Sequence, residues 1–237
     1  MDIISSLAII SFAALIHASF QLSVSVLTLI SGHALGSQKS HRRLVALTAS
    51  FVFGAVLMSL LLLSTIALVA NQFTDGSIGN YLWIAACSLL IGVGFAVMFL
   101  YYRNEDGTGL WIPESFADYL MRRTKATKST TETFALGQTS VISEILFISA
   151  PLLVSALTLV QLPAGWQLIG IAVYAVISAL PLILIWILVN SGHRLSAIQK
   201  WRESNKHFIQ LASGSGLIIL AVFVYTWMVL SSGVNLS

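Results

Sequence analysis

Six stretches of this chain are apolar almost without interruption, at 3–31, 44–70, 81–102, 134–160, 167–190 and 208–231. Each reaches or exceeds the ~20 residues that a helix needs to cross ~30 Å of hydrocarbon. The pattern predicts an all-α polytopic membrane protein with six transmembrane helices. Five polar loops separate the spans. The loop 103–133 is the long one, and it divides the chain into three spans before it (1–102) and three after it (134–237). Three spans per half make the second half enter the bilayer from the opposite side, which is the geometry of an inverted-topology repeat. A short internal match sits where such a repeat requires it. Ser25-Val-Leu-Thr-Leu in span one returns as Ser155-Ala-Leu-Thr-Leu in span four, aligning Gln21 with Pro151 and Ser19 with Ser149.

The polar positions inside the spans carry the candidate chemistry. Span four holds one carboxylate, Glu144, ten residues from its start, and Pro151 seven residues later. In a straight helix Glu144 lies ~15 Å deep, near the midplane. An ionisable group at that depth costs several kcal/mol and is read by default as functional. Ser140, Glu144, Pro151, Ser155 and Thr158 share one helical face, and in span one His17, Gln21, Ser25 and Thr28 do the same. Both spans are overlong, so tilting or breaking is expected. Pro151 lacks a backbone donor and frees the carbonyl of Phe147. Broken first helices in each repeat, with polar groups at the break, are a common way to build a midplane site. The expected ion- or substrate-binding set is Glu144, His17, Gln21, Ser140 and Pro151, with His17 the partner of Glu144. The plainer reading makes the hydroxyls and Gln21 interhelical hydrogen bonds, and His17 a packed core residue. Tyr174 and Pro181 mark a kink in span five. Gly92-Val-Gly94 and Gly214-Ser-Gly216 offer close helix packing.

Charge then sets the orientation. All 12 Lys and Arg residues fall in the first, third and fifth loops. The positive-inside rule turns those loops to the cytoplasm and puts both termini outside. The pI of 9.2 therefore reports topology and not nucleic-acid binding. Trp83, Trp166, Tyr225 and Trp227 are expected at the outer interface, and Tyr101, Tyr102, Trp111 and Trp201 at the inner one. Within the third loop, residues 112–124 begin at a proline and place Phe116, Tyr119 and Leu120 on one face. They predict a short amphipathic helix on the cytoplasmic surface, followed by a solvated linker.

Composition agrees with the class and excludes others. The chain of 237 residues is 57% hydrophobic and 9% charged, with a mean hydropathy of +0.90. Asp2 and the absence of a basic leader keep the first apolar segment as a span. The single cysteine, Cys87, cannot form an internal disulfide. No span carries a lysine for a retinal Schiff base. There is no HExxH zinc motif, no GxSxG serine and no P-loop. No enzyme activity, cofactor or metal is expected. The partners expected are the lipid bilayer and a small solute or ion, with self-association into a homo-oligomer open.

As an architecture, the chain resembles the LysE superfamily of six-span proteins, which includes amino-acid and cation exporters and the CcdA/DsbD thiol carriers. His41-Arg-Arg followed by LVALTASFVFGAVL resembles the run after that superfamily's first cytoplasmic loop. FALGQTSVISEILFISAPLL, GIAVYAVISALP, a basic loop and GSGLIILAVFVY resemble the second half of CcdA. CcdA-like proteins place a cysteine beside the proline of spans one and four. Here Pro151 has no such cysteine, and span one has neither residue, so thiol relay is not implied. The resemblance implies the fold and a transport role. The resulting expectation is a secondary transporter, an exporter of a small solute, in the plasma (inner) membrane of a prokaryote. The competing expectation is a non-transporting membrane scaffold or assembly subunit.

Overall fold

The computed structural model of the chain describes residues 2–20, 41–74, 78–100, 122–123, 129–192, 201 and 204–230. Every regular element among them is helical. These are α1 (Ile3–Ser19), α2 (His41–Thr74), α3 (Asn80–Leu100), α4 (Thr130–Ser143), α5 (Ile145–Val160), α6 (Ala164–Asn190) and α7 (Lys206–Val224), which continues as a π-helical turn over Tyr225–Leu230. Four helices are long and apolar enough to span a bilayer, and α4 with α5 makes a fifth if a bent pair counts as one span. The helix α1 is apolar but has 17 residues, about 25 Å at ~1.5 Å each, short of the ~30 Å layer. The basic loops and the amphipathic segment lie almost wholly outside the described residues.

Two boundaries differ from the sequence expectation for local reasons. Span one was expected as one helix through residue 31, but α1 stops at Ser19. Phe20 takes an extended conformation (φ −76°, ψ 132°) while its N–H still bonds the His17 carbonyl. Of the polar face proposed for span one, His17 lies in α1, and Gln21, Ser25 and Thr28 lie outside the described residues. In span four the helix starts earlier than residue 134. Ser129 accepts from the Glu132 N–H, and the Glu132 carboxylate accepts from the Ser129 N–H. This reciprocal capping box satisfies two of the donors that a helix start leaves open.

Helix sense alternates along the chain. His17 meets Tyr174, and Ile10 faces Gly170, so residue numbers rise together and α1 runs parallel to α6. Ser19 bonds Ser213 while Ile16 faces Gly216, so α7 runs antiparallel to α1. Gln210 of α7 donates to the Val97 and Met98 carbonyls, and Gly94 faces Ile218, so α3 and α7 are antiparallel. In α2 and α4, Ser50 meets Thr130, Phe53 meets Phe134 and Ala55 meets Gly137, a parallel pair.

Glycines set two of these contacts. A Cβ on Gly54 would run into the Phe134 carbonyl oxygen, and one on Gly137 into the Phe51 carbonyl oxygen. Each glycine thus receives the carbonyl three residues before the other. The same reciprocity joins α3 to α7. A Cβ on Gly94 would lie 3.1 Å from the Gly214 oxygen, and one on Gly214 would lie 2.9 Å from the Gly94 oxygen. Small residues let backbones approach where lipid offers no hydrophobic drive for helix association. Gly92 faces open space and Gly216 only reaches Ile16, so one glycine of each expected pair does the packing.

At the centre is α5. From Phe147 to Leu159 it is buried on nearly every side, and α1, α2 and α3 all pack on it. A helix that is apolar all round belongs inside a bundle. Trp83, expected at the outer interface, is instead 2% exposed and sits in the core cluster with Cys87 and Leu90. Its bulk fills core volume as readily as it anchors in headgroups, and hydropathy does not reveal helix rotation. Trp166, Trp201, Tyr225 and Trp227 are exposed.

Candidate functional site

The chain breaks at Glu144, where α4 and α5 meet at 80°. The expectation had placed the disruption at Pro151. Pro151 instead stays inside α5, buried. Two serine hydroxyls turn back onto the backbone in the four residues before the bend. The Ser140 hydroxyl donates to the Gly137 carbonyl, and the Ser143 hydroxyl to the Ser140 carbonyl. Such back-bonding competes with the helical ladder and bends helices. The Glu144 N–H then reaches Val141, a tightened i−3 bond, and the Glu144 carbonyl starts the new helix by accepting from Phe147 and Ile148.

Glu144 is 3% exposed. It lines a cavity of about 20 Å³ together with His17, Phe20, Ser59 and Ser178, room for one water molecule. The walls are aliphatic, with Ala55 and Val56 from α2 and Ala179 and Leu182 from α6. The two helix ends meet here. Phe20, where α1 stops, stacks on Phe147, just past the bend in span four, with ring centroids 5.9 Å apart.

His17 is 5% exposed, and its Nδ1 lies 2.9 Å from the Tyr174 hydroxyl. Tyr174 is fully buried in the middle of α6. Its ring centroid is 5.7 Å from that of His17. Of the five site residues expected from the sequence, the structure brings Glu144 and His17 together on one cavity. Ser140 and Pro151 are buried but do not line it, because the bend puts them on different helices and Ser140 spends its hydroxyl on its own backbone. Gln21 lies outside the described residues. Tyr174 is the residue the sequence reading missed as chemistry, having used it only to mark a kink. A tyrosine inside an apolar span needs a partner for its hydroxyl, and that was the available signal.

A second cavity lies along the same α2–α6 groove. It measures about 240 Å³ and brings Ser64 and Asn71 of α2 beside Gln167 of α6 and Leu159 of α5. From Ser59 to Ser64 the groove advances five residues, ~7.5 Å. Leu63 and Tyr174, both fully buried, fall between the two cavities along their helices. Among the described residues, no three His, Cys, Asp or Glu side chains come together as a metal set.

Comparison with protein-family models, curated proteins and solved structures finds no match to this chain.

Proposed function

We propose that this protein is a secondary transporter that couples movement of a small solute to protonation of Glu144. One observation carries the reading: a buried carboxylate placed at an 80° break in an apolar helix, sharing a one-water cavity with a buried histidine. Burial favours the neutral carboxyl and access to water favours the charged one, so alternate exposure would load and release a proton. The cavity of about 240 Å³ farther along the same groove supports the reading, since it offers space for a solute, separated from the carboxylate by the buried Leu63 and Tyr174. In this arrangement the site is the occluded state, and its opening is an expected conformational step.

The three-plus-three architecture belongs to the same proposal. Its support is a reciprocal contact pattern under the exchange of α1 with α5, α2 with α6, and α3 with α7. The helix α1 packs on α6 as α5 packs on α2, and α1 packs on α7 as α5 packs on α3. The three exchanged pairs also touch each other. This pattern is the form a two-fold relation takes. Orientation with both termini outside is part of the reading. Cys87 is buried, so single cysteines can be introduced without background. A cysteine at Ser129 should label with a membrane-impermeant maleimide only after permeabilisation; labelling in intact cells would reverse the orientation.

The scaffold reading has one observation in its favour. The Glu144 cavity is walled by aliphatic side chains and admits no more than a water. Vesicle transport decides between the two. Protein reconstituted with a pH-sensitive dye inside should give a lumenal pH change when amino acids or other small metabolites are added outside. The change should vanish in Glu144→Gln and persist in Glu132→Gln, which alters a capping carboxylate at the helix start. A pH response that survives Glu144→Gln would remove the carboxylate from the mechanism.

A further inference from the structure

The ion that a buried carboxylate binds depends on what faces it, and His17, which shares its cavity, has one ring nitrogen engaged by Tyr174. The Tyr174 hydroxyl has one hydrogen-bond partner among the described residues, His17 Nδ1 at 2.9 Å. Two arrangements are open to a neutral pair. If Nδ1–H donates to the phenol oxygen, the phenol proton is left in a fully buried position with no acceptor, which costs the full desolvation of a donor. If the phenol donates to Nδ1, both groups are satisfied and the ring proton sits on Nε2. The second arrangement is favoured. It leaves an N–H donor on the nitrogen that remains for the cavity His17 shares with Glu144.

We infer that the coupling ion at Glu144 is a proton carried through a single bound water, not an alkali cation, and that Tyr174 is the positioning residue that makes it so. The inference rests on the transport reading, which already takes protonation of Glu144 as the coupled event, and adds the bound water and the residue that positions it. Ser59 and Ser178 line the cavity with Glu144 and could offer lone pairs to a cation such as Na⁺, but an Nε2–H in so small a cavity repels one. A water molecule accepts from the His17 Nε2–H and donates to the Glu144 carboxylate, which matches a cavity with room for one. The proton balance is simple. When the site is open, a proton enters the bound water from bulk solvent as another passes from that water to Glu144, so no hydroxide is left behind; release runs the same relay backwards, and the bond from Tyr174 keeps Nδ1 from taking the proton. Among the described residues that line the cavity, Glu144 and His17 are the titratable groups, with Tyr174 behind His17.

The test reads the tautomer directly and needs no substrate. The full chain is labelled with ¹⁵N-histidine and studied by solid-state NMR in lipid bilayers. Of the five histidines, His17 is assigned by the signal that His17→Gln removes. The expected result is an unprotonated, hydrogen-bonded Nδ1 and a protonated Nε2 in the wild type, with both tautomers present in Tyr174→Phe. A protonated Nδ1 in the wild type, or a pattern unchanged in Tyr174→Phe, would overturn the inference. A second arm compares melting in sodium chloride and choline chloride. Equal melting temperatures are expected, and a sodium-specific rise that Glu144→Gln abolishes would overturn the proton assignment. The expected tautomer in a protein that moves no protons in vesicles would instead overturn the transport reading and the coupling role with it.

Discussion

Gly54→Val and Gly137→Val are each expected to cost more than about 4 kcal/mol and to leave little folded protein in the membrane, a loss large enough to be exceptional for single substitutions. The reason is what the new side chain meets. The Cβ of either residue would fall on a backbone carbonyl oxygen, that of Phe134 or that of Phe51. A side chain in the way can rotate, but a carbonyl held in a helical ladder cannot, so α2 and α4 would have to separate along their whole contact. That contact is the broadest in the bundle and positions both the start of span four and the Ala55–Ser59 wall of the Glu144 cavity. Gly92→Ala and Gly165→Ala are the controls, because a Cβ there meets nothing within 4 Å. They should be neutral or stabilising by up to about 1 kcal/mol, the gain in helix propensity from Gly to Ala. Thermal unfolding of the purified variants in detergent measures the difference. Valine variants melting within a few degrees of the wild type would sink the claim that the two backbones touch here.

The second large effect separates the shape of Glu144 from its charge. Glu144→Gln keeps the size and hydrogen-bonding capacity of the side chain, so its melting temperature should stay within a few degrees of the wild type. Glu144→Leu is one atom shorter, similar in bulk, and has no polar atoms. It would remove the interaction that Glu144 makes at this 3% exposed position and leave its counterpart unsatisfied. The expected loss is about 1–3 kcal/mol. The order Gln near wild type and Leu well below it is the outcome the geometry requires. Equal stability of the two variants would mean that Glu144 makes no polar contact of consequence.

Much of this protein is legible in one dimension. Hydropathy alone locates the apolar elements, because a helix that crosses lipid must be apolar over a length set by the bilayer. It also singles out Glu144, because a carboxylate in such a run is costly wherever the chain puts it. Two further signals were present and went unread. Ser129-Thr-Thr-Glu132 spells a capping box, and its force is local, so the start of α4 could have been set at residue 130. Phe51-x-x-Gly54 and Phe134-x-x-Gly137 are the same short pattern on two helices, and they turn out to face each other.

The tertiary structure alone decided the rest. Pro151 was the expected breaking point because it lacks a donor, yet the bend sits at Glu144, where serine hydroxyls compete for the carbonyls and α5 is held straight by burial on all sides. Trp83 is a core residue because of how α3 is rotated, which its own sequence does not encode. Tyr174 is chemistry and not only a kink marker because 157 residues earlier in the chain His17 is packed within 2.9 Å of it. Hydropathy and capping depend on neighbours in the chain and can be read along it. The partner of a buried polar group depends on which helices touch and in what rotation, and only the packed bundle sets that.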